Sequence, residues 1–489
     1  MTFVDYNTSS LSKTSLSAQG LPYKARLNDG RHVSIQGSLI HNICEHPAFQ
    51  GTIERMEQYY LLQDSNPDTH MTPIGGQMAP ISLLVPRSKE DLLRKRRSYQ
   101  EVAGISFGML GRTPDFMNAA IMTIGEHADI LGEDKSASFE ENFRRFRDRC
   151  VQHNLFVAHA AINPQIDRAR SLHEIPKGYA GVRVVKTDAR GIWVTGAKMI
   201  ATLAPIADEI LVFNMPGLSR SDADFAVAFS TPVATDGLTL FCRKSLRASD
   251  LTIADKPIAN AFDEIDAYLV FDNVFVPWSQ VYVHQSPEKS DAFYGRSFAR
   301  HHTGHQGIVR GLAKAELATG VAIELARILG LMHREQVLER LGELTTYLEI
   351  SRGLILLAEE DATFSPLEVL SPSIHAIQAV RYNFPKMYER ALILIRDLAA
   401  GSMLSVPEFA EFSGDKADVL REALGSEKIG AEDRTKLLNL AWDLSGDGFG
   451  QRQLAYEYYH AGDPQRIAAA HFGNYPTEHL AAGVSRALQ

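Results

Sequence analysis

The sequence predicts an α+β protein with three successive regions: a mainly helical N-terminal domain, a β-rich middle domain and a C-terminal helix bundle. Apolar residues recur with helical spacing in residues 1–157, short β-branched and aromatic runs occupy 158–284, and long helical patterns return over 285–489. A chain of 489 residues is also longer than the roughly 250–300 residues that a single core usually serves.

In the N-terminal domain, Ser88 followed three residues later by Asp91 is typical of a helix start. Apolar residues then recur with a roughly helical period from Leu92 to Leu110. Pro114 should end this helix, because the residue before a proline is pushed out of the helical region. A second helix is predicted from about Phe139 to His153.

The middle domain contains short runs of β-branched and aromatic residues, separated by turn residues at regular spacing. The first two runs flank Thr187–Gly191, which is a strong hairpin signal. The spacing predicts an antiparallel β-barrel or sandwich. The predicted strands are Val182–Val185, Ile192–Val194, Glu209–Phe213, Asp224–Phe229, Leu238–Phe241 and Ala267–Phe271.

The C-terminal domain carries three long helical patterns joined by short connections. They run from near Ile308 past Ile328, over Arg334–Glu359 and over Ser373–Ala400. Long helices with short loops are typical of a helix bundle.

Composition excludes several classes of function. The net charge of −9 argues against nucleic-acid binding, and the basic run Arg94–Arg97 is interpreted as a solvated or subunit-facing helix surface. Cys44, Cys150 and Cys242 are too far apart to indicate a disulfide framework or a zinc site. The polar leader 1–20 resembles no secretory signal, and no apolar run of about 18 residues occurs. We therefore expect a cytoplasmic protein without a membrane span.

The sequence has no dinucleotide-binding GxGxxG after a predicted strand, no phosphate-binding P-loop, no GxSxG and no HExxH. A redox role would therefore need electrons from another protein. His301 and His305 are four residues apart and could share a helix face, but Thr303 and Gly304 weaken such a helix. We interpret the cluster as a polar helix start at a domain or subunit boundary and predict no metal.

Seven short strings, in order along nearly the whole chain, resemble those of one enzyme family. The chain is similar to the oxygenase component of 4-hydroxyphenylacetate 3-hydroxylase and its relatives, which act on phenols. The strings are DGR at 29–31, HPAF at 46–49, GMLGRTPD at 108–115, HAAINPQIDR at 159–168, GAKMIAT at 196–202, DNVFVPW at 272–278 and GFGQR at 448–452.

The resemblance implies an acyl-CoA dehydrogenase-like fold with a central antiparallel β-barrel, and a homotetramer assembled through the helix bundles. It also implies a two-component monooxygenase. A separate NAD(P)H-dependent flavin reductase would supply diffusible FADH2, and O2 would react with it to form a flavin C4a-hydroperoxide. The aromatic substrate would be hydroxylated, normally ortho to its hydroxyl group.

The resemblance places Arg112 and His159 at the phenolic oxygen of the substrate. The chemistry is sound, because a free phenol has a pKa of about 10, whereas a fixed guanidinium favours its ionised form and a histidine can share its proton. On the residues alone, the favoured interpretation is that Arg112 is a helix C-terminal cation and His159 an ordinary buried histidine, and the full set of strings reverses that preference.

Further site residues follow from the same resemblance. Asn214 falls near a loop that contacts substrate, and Arg168 suits the flavin pyrophosphate because its planar fork matches phosphate oxygens. Thr202 would donate a hydrogen bond to the isoalloxazine. On the residues alone, the 448–452 segment could be a simple turn between bundle helices. The full set of implied flavin contacts is His159, Ala160, Ala161, Gln165, Ile166, Asp167, Arg168, Thr202, Phe449, Gly450, Gln451 and Arg452.

Phe116 departs from the family pattern, in which a tyrosine directly follows GRTPD and helps bind the phenol. A single hydrogen bond contributes only about 0.5–1.5 kcal/mol, so a phenol can still bind. The change indicates an aromatic substrate other than 4-hydroxyphenylacetate. Three alternatives remain open: a flavin oxidase or dehydrogenase that uses a thioester, an iron–sulfur dehydratase of the same superfamily, and a non-catalytic flavin-binding scaffold.

Overall fold

The computed structural model describes residues 22–176 and 178–489, so the predicted polar leader 1–20 lies outside the described residues. The N-terminal part is mainly helical, as predicted, with short strands inserted. Its elements are α1 (Tyr23–Arg26), β1 (Val33–Ile35), β2 (Ser38–Ile40), α2 (Pro47–Ser65), α3 (Pro67–His70), β3 (Met71–Ile74), β4 (Gln77–Pro80), α4 (Lys89–Gly104), α5 (Pro114–Glu126) and α6 (Phe139–His153).

The start of α4 is confirmed, but its predicted end is wrong. Ser88 and Asp91 form a reciprocal capping box, in which each side chain accepts a hydrogen bond from the other's backbone amide. The helix stops at Gly104 rather than continuing to Leu110, because Phe107 and Gly108 adopt positive φ angles of 51° and 71°. Pro114 begins α5 instead of merely ending α4, since proline suits the first helical position.

The middle part contains most of the strands, and the predicted hairpin is confirmed as β6 and β7. The elements are β5 (Val157–Ala160), β6 (Arg183–Thr187), β7 (Gly191–Thr202), β8 (Glu209–Val212), β9 (Val227–Pro232), β10 (Leu238–Cys242), α7 (Ala259–Phe262), β11 (Asp266–Pro277) and β12 (Val281–His284).

The described strands do not close into the predicted antiparallel barrel. They form a six-stranded sheet in the order β2-β1-β10-β11-β7-β6 and a four-stranded sheet in the order β12-β9-β8-β5. Each sheet contains one parallel pair, β1 with β10 and β5 with β8. The backbone amide of Met199 in β7 donates to the carbonyl of Ile162 at 2.8 Å, so the two sheets meet just beyond β5.

The C-terminal part is helical and confirms the three long predicted helices as α9, α10 and α11. The first of them begins at Ala299, about nine residues before the predicted start, so the histidine cluster lies within its first two turns. The elements are α8 (Pro287–Gly295), α9 (Ala299–Ile328), α10 (Glu335–Glu360), β13 (Thr363–Phe364), β14 (Leu370–Ser371), α11 (Ile374–Ala399), α12 (Ala417–Leu424), α13 (Ala431–Ser445), α14 (Gly448–Tyr459), α15 (Pro464–Gly473) and α16 (Glu478–Ala487).

A buried ion cluster joins α9 to α14. The guanidinium of Arg310 donates to both carboxylate oxygens of Glu457 at 2.6 and 2.8 Å, and Lys314 donates to the same carboxylate at 2.5 Å. All three side chains are at most 2% exposed. Burial alone would raise the pKa of Glu457, but the two cations hold it well below its usual value. The carboxylate is therefore ionised and fully paired.

The same cluster fastens the loop between α4 and α5, residues 105–113. Arg310 donates to the carbonyl of Gly108 at 2.9 Å, and Gln453 of α14 donates to the carbonyl of Met109 at 3.3 Å. A side chain at Gly108 would meet the backbone of Arg310 at 2.4 Å, so only glycine allows this close approach. The loop is thus held by two helices of the bundle.

The basic run Arg94–Arg97 in α4 is predicted to be a solvated or subunit-facing helix surface, but two of its side chains contact other parts of this chain. Lys95 is 1% exposed and donates to the carbonyls of Ser82 and Leu84 at 2.9 and 2.8 Å. Burial lowers its pKa to about 7. Arg96 pairs with Glu359 of α10 at 2.8 Å, so the run helps dock α4 on the bundle. Separately, none of the helices in the described parts of the chain has the length and apolarity needed to cross a membrane.

Replacing Glu457 by glutamine would keep the side-chain shape but remove the charge that pairs with Arg310 and Lys314. Breaking a buried ion pair from one side costs roughly 3–5 kcal/mol, because the remaining charge stays buried without compensation. We expect unfolding in guanidinium chloride, followed by circular dichroism, to show a loss of stability of that size.

The matched control is Glu324→Gln, which breaks the exposed pair of Glu324 with Arg327 on the same helix α9. Exposed pairs contribute about 1 kcal/mol or less. If the two substitutions destabilised the protein equally, the Glu457 cluster would not have the structural role described above.

Candidate active site

Arg112 lies in the 105–113 loop, two residues before α5 begins at Pro114, and it is 9% exposed. Its guanidinium donates to the hydroxyl oxygen of Tyr456 at 2.5 Å and to the carbonyls of Gly111 and His460 at 3.1 Å each. All of these partners are neutral. Within the described residues no carboxylate pairs with Arg112, so its positive charge is held without a counter-ion.

Phe116 connects Arg112 to His159. The guanidinium of Arg112 lies 4.1 Å from the centre of the Phe116 ring, which is a close cation–π contact. On the other side, the rings of Phe116 and His159 are 5.7 Å apart. The structure therefore brings together the two residues that the sequence predicts as a pair, with Phe116 between them.

His159 is the third residue of β5 and is half-buried. Its Nδ1 is buried and has no hydrogen-bond partner among the described residues. Burial, together with the positive charge of Arg112, lowers the pKa of the imidazole to about 3. The ring is thus neutral over the physiological range and can accept a hydrogen bond from a ligand.

Tyr456 of α14 is a site residue that the sequence analysis missed. Its hydroxyl accepts from Arg112, and within the described residues the hydroxyl proton has no acceptor. A side chain at Gly111 would lie 1.9 Å from the Tyr456 hydroxyl oxygen, so glycine is required for this contact. The signal was available, because Tyr456 lies four residues after the predicted Arg452 and therefore on the same helix face.

Asn214, which is predicted to lie near the substrate, is 2% exposed, and its side-chain amide forms hydrogen bonds within the protein. Its amide donates to the carbonyl of Phe225 at 2.8 Å, and its oxygen accepts from Lys198 at 2.7 Å. Lys198 also donates to Asn163 and to the carbonyl of Phe213, at 2.7 and 2.8 Å. Burial lowers the pKa of Lys198 to about 7, but these three acceptors match the three protons of its ammonium form.

Lys198 therefore ties the segment after His159 to the end of β8. Phe213, whose carbonyl it binds, lies 6.3 Å from the ring of His159 in a stacked arrangement. Phe213 also stacks on Tyr294 at 5.3 Å. The stacked rings of Phe213 and Tyr294 form one wall beside His159. The sequence does not indicate Lys198 or Tyr294 as site residues.

Two of the predicted flavin contacts, Thr202 and Arg452, belong to a buried ion network. Thr202 donates its hydroxyl proton to Asp266 at 2.6 Å, and Arg452 pairs with Asp266 at 2.8 Å and with Glu264 at 2.6 Å. Burial alone would raise the pKa of Asp266, but Arg452 and Arg243 hold it below its usual value. The side-chain donors of Thr202 and Arg452 are therefore used within the protein.

The rest of the predicted 448–452 contact segment forms the first turn of α14. Phe449 is fully buried, and Gln451 is exposed and donates to the carbonyl of Ser445 at 3.1 Å. A side chain at Gly450 would meet the carbonyl oxygen of Leu444 at 2.2 Å. This glycine therefore allows α14 to pack closely on α13.

The remaining predicted flavin contacts lie in and just after β5. Ala160 and Ala161 are buried, whereas Gln165, Ile166 and Arg168 are exposed. The side chains of Gln165 and Arg168 bond to each other, and Asp167 accepts from the amide of Ala169 at 2.9 Å. Ile166 is 62% exposed, so an apolar side chain lies among these polar ones at the surface.

The histidine cluster does not converge on one point. His301 faces the carbonyl of Pro372 at 2.9 Å, His302 faces Ser371 at 3.1 Å, and His305 pairs with Glu359 at 2.8 Å. Among the described residues, no three His, Cys, Asp or Glu side chains are grouped so that they could hold a metal ion. The three cysteines there are free thiols.

The acyl-CoA dehydrogenase-like fold implied by the sequence is confirmed by solved structures. The chain aligns with a glutaryl-coenzyme A dehydrogenase with a TM-score of 0.50 at 9% identity. It aligns with a 4-hydroxybutyryl-CoA dehydratase from N. maritimus with a TM-score of 0.83 at 20% identity. At these identities the likeness concerns the fold alone.

Within this fold the chain belongs to the 4-hydroxyphenylacetate 3-hydroxylase family. The family's N-terminal model matches residues 19–283 and its C-terminal model matches residues 290–489. The 4-hydroxyphenylacetate 3-monooxygenase oxygenase component of Thermus thermophilus is 33% identical over 91% of both chains. The corresponding component of Geobacillus is 31% identical over 94% of both.

A solved structure of such an oxygenase component, complexed with FAD and 4-hydroxyphenylacetate, is also closely similar. It has a TM-score of 0.91 and 32% identity, and the alignment covers 95% of this chain and 97% of that one. The predicted family is therefore confirmed over almost the whole chain.

We expect His159 to remain uncharged far below the usual range of histidine. With a pKa of about 3, its ring should show no titration between about pH 8 and about pH 5, whereas ordinary imidazoles titrate near 6.5. The measurement is NMR of protein labelled with 13C-histidine, with the His159 signal assigned by its loss in His159→Gln. A titration midpoint near 6.5 for that signal would contradict the described environment.

Proposed function

We propose that this protein is the oxygenase component of a two-component monooxygenase that hydroxylates a phenolic or related aromatic substrate, normally ortho to the hydroxyl group. The observation that carries the proposal is the buried guanidinium of Arg112, which has no carboxylate partner within the described residues and lies beside the neutral imidazole of His159. Membership of the hydroxylase family supports the reaction type.

Arg112 is suited to bind a phenolic oxygen in its ionised form. A phenol has a pKa of about 10 in water, but an adjacent fixed cation lowers that value. The local dielectric is low, and no carboxylate of the described residues pairs with Arg112, so a phenolate would complete the site. Its extra electron density makes the ring carbon beside the oxygen a better nucleophile.

His159 is suited to share a hydrogen bond with the phenolic oxygen. Its neutral ring offers an unprotonated nitrogen, and its Nδ1 is buried without a partner among the described residues. A buried polar atom without a hydrogen bond is costly, so a ligand that fills this role would gain affinity. We assign His159 as the group that shares a hydrogen bond with the phenolic oxygen, and Arg112 as the group that holds that oxygen in its ionised form.

Tyr456 supplies a hydroxyl group that compensates for Phe116. The family tyrosine is absent from position 116, but the Tyr456 hydroxyl lies against Arg112 and its proton has no acceptor in the described structure. That proton can be donated to the phenolate. Because Phe116 contributes only its ring face, the substrate is held from a different side, which supports an aromatic substrate other than 4-hydroxyphenylacetate.

FAD in its reduced form is the cofactor that would supply oxygen activation, which no side chain at this site can provide. The exposed Gln165, Ile166 and Arg168 fit such a group, because they present polar side chains beside an apolar one at the surface. The backbone of residues 159–161 lies next to them. Thr202 and Arg452 fit less well as direct contacts, since their donors are bonded to Asp266 and Glu264, and they are better suited to fix the floor of the site.

The proposal includes the partners and organisation implied by the family. A separate flavin reductase would supply the reduced FAD in the cytoplasm, and the domains would be 1–157, 158–284 and 285–489. A homotetramer is supported by exposed apolar side chains in the C-terminal helices, including Phe472, Leu480 and Val484, each at least 55% exposed. Large exposed apolar residues in neighbouring positions are typical of subunit interfaces.

The rival functions lack comparable support. A dehydratase of the same fold would need cysteines that ligate an iron–sulfur cluster, and the described residues provide no grouped metal ligands. Neither a thioester-specific oxidase nor a non-catalytic scaffold would need a buried Arg112 without a carboxylate partner in the described residues, next to a histidine, His159, whose pKa is lowered.

Removing either proposed catalytic group should uncouple oxygen use from hydroxylation. We expect His159→Ala to lower the hydroxylated product formed per reduced FAD by about 100-fold or more. Arg112→Ala should lower it by about tenfold to a hundredfold, the value of a charge-assisted hydrogen bond. Both variants should still consume oxygen and release hydrogen peroxide, which is measured alongside product by chromatography.

Arg327→Ala serves as the control, because Arg327 is an exposed cation on α9. This variant should retain the product yield of the natural protein. Normal product yield from His159→Ala or Arg112→Ala would refute the assignment of these residues.

A further inference from the structure

Two loops beside His159 are joined to each other by side chains of the protein. The first loop, residues 161–176, follows β5 and carries the exposed residues that are proposed to contact the flavin. The second loop, residues 213–226, connects β8 to β9 and begins at Phe213, whose ring stacks beside that of His159 at 6.3 Å. The first loop therefore belongs to the proposed flavin surface, and the second borders the proposed phenol site.

Lys198 of β7 forms the first link between the loops. Its ammonium donates to the side-chain oxygen of Asn163 in the first loop at 2.7 Å. It also donates to the carbonyl of Phe213 at 2.8 Å and to the side-chain oxygen of Asn214 at 2.7 Å, both in the second loop. Because Lys198 is only 1% exposed, a shift of either loop would leave a buried ammonium with an unfilled hydrogen bond, which is costly. Lys198 therefore opposes any separation of the two loops.

Asp222 forms the second link. Its Oδ1 accepts from the backbone amide of His173 in the first loop at 3.0 Å and lies 3.0 Å from the ring Nδ1 of the same residue. Its Oδ2 accepts from the backbone amide and the hydroxyl of Ser219 at 3.0 and 2.6 Å. Burial alone would raise the pKa of Asp222, but these hydrogen bonds lower it to about 2, so the carboxylate is ionised. A charge-assisted contact thus holds the two loops together at a second point.

The two links lie at different places along the loops. Lys198 holds the beginning of each loop, whereas His173 and Asp222 join the loops near their ends. Segments that are joined at both ends change position together. A ligand that orders the first loop therefore also orders the second, and a ligand that binds to an already ordered loop has a smaller entropic cost.

We propose that Lys198 is a positioning residue that couples two binding events, so that FAD bound at the first loop strengthens binding of the phenol beside the second loop. The inference rests on the proposed function, from which it takes the places of the two ligands. Lys198 acts through the loops, because all three protons of its ammonium are used within the protein. The contact between Asp222 and His173 assists it.

Direct contact between the two bound ligands is the other possible origin of such coupling. A flavin ring and a phenol that touch each other would strengthen each other's binding without any help from the loops. Coupling of this origin does not depend on Lys198, so it would persist when Lys198 is replaced. The two origins are therefore distinguishable by experiment.

The test measures the dissociation constant of 4-nitrophenol by equilibrium dialysis, first without FAD and then with saturating FAD. The ratio of the two constants is the coupling factor. We expect a factor of about five or more for the natural protein, and the same factor for the effect of 4-nitrophenol on FAD affinity, because coupling between two ligands is reciprocal. Lys198→Met should bring the factor close to one, since it removes all three hydrogen bonds of the first link.

His173→Ala is a second variant that tests the other link. The His173 side chain is 39% exposed, so its removal leaves the core intact. The variant should lower the coupling factor by about twofold or more, the value of a weak hydrogen bond, while the affinity for 4-nitrophenol without FAD stays the same. If circular dichroism shows that Lys198→Met does not fold, His173→Ala decides the outcome.

Lys95→Met is the matched control. Lys95 is also a lysine that is 1% exposed, but its acceptors, the carbonyls of Ser82 and Leu84, lie outside both loops. This variant should leave the coupling factor unchanged, even where it lowers the stability of the protein in guanidinium chloride. A buried lysine with a purely structural role is expected to behave in this way.

The proposal is overturned if the natural protein shows no coupling, if the coupling persists in the deciding variant, or if Lys95→Met abolishes it equally. Because dialysis needs no turnover, the proposed function can fail separately. Coupled binding without any hydroxylated product would count against the proposed function alone, whereas hydroxylated product without coupled binding would count against this inference alone. Failure of either ligand to bind would overturn both.

Discussion

Glu457 is the residue on which the geometry of the site depends. Its buried carboxylate is paired with Arg310 and Lys314, and this pairing locks α14 to α9 across the bundle. The same Arg310 binds the carbonyl of Gly108 and so fixes the loop that carries Arg112. One turn of α14 before His460, Tyr456 meets the Arg112 guanidinium. The position of Arg112 is thus set by helices far away in sequence, and a change in the cluster would be transmitted to the site.

The arginines of the structure divide into two groups with different physical roles. Arg310, Arg452 and Arg243 are saturated by carboxylates, which makes them structural cross-links with little capacity to bind a ligand. Arg112 and Arg381 of α11 have no such partner in the described structure. Buried charges are tolerated when they are paired. The two guanidinium groups without a carboxylate partner therefore have an uncompensated desolvation cost, which a bound anion can offset. Function is therefore concentrated where the electrostatic pairing of the protein is incomplete.

Much of the fold could be predicted from local pattern, because the relevant forces act over a few residues. The Ser88 capping box, α6, the β6–β7 hairpin and the long helices of the bundle all follow from periodicity and turn chemistry. The early end of α4 could not be predicted, since the positive φ of Phe107 is imposed by contacts of the loop with α9 and α14. The parallel pairing of β1 with β10 joins residues about 200 apart, which no local pattern encodes.

The sequence likewise predicts only part of the candidate site. Arg112, Phe116 and His159 were indicated by their motifs, and they do lie together. Motifs could not reveal that Thr202 and Arg452 bond to Asp266, nor that Asn214 binds Lys198, because these partners come from separate strands and helices. Tyr456 could have been found from its spacing to Arg452. The role of Lys198 could not, since its three acceptors come from two loops that are far apart in the sequence.

Arg112 holds a positive charge that no carboxylate of the described residues pairs with, and this charge is suited to bind a phenolate. The most direct test is to titrate 4-nitrophenol, whose ionised form absorbs visible light, into the protein at a series of pH values. The account predicts that the bound phenol ionises at a pH about one unit or more below that of the free phenol, and that Arg112→Met abolishes this difference. Bound 4-nitrophenol that ionises at the same pH as the free compound would contradict it.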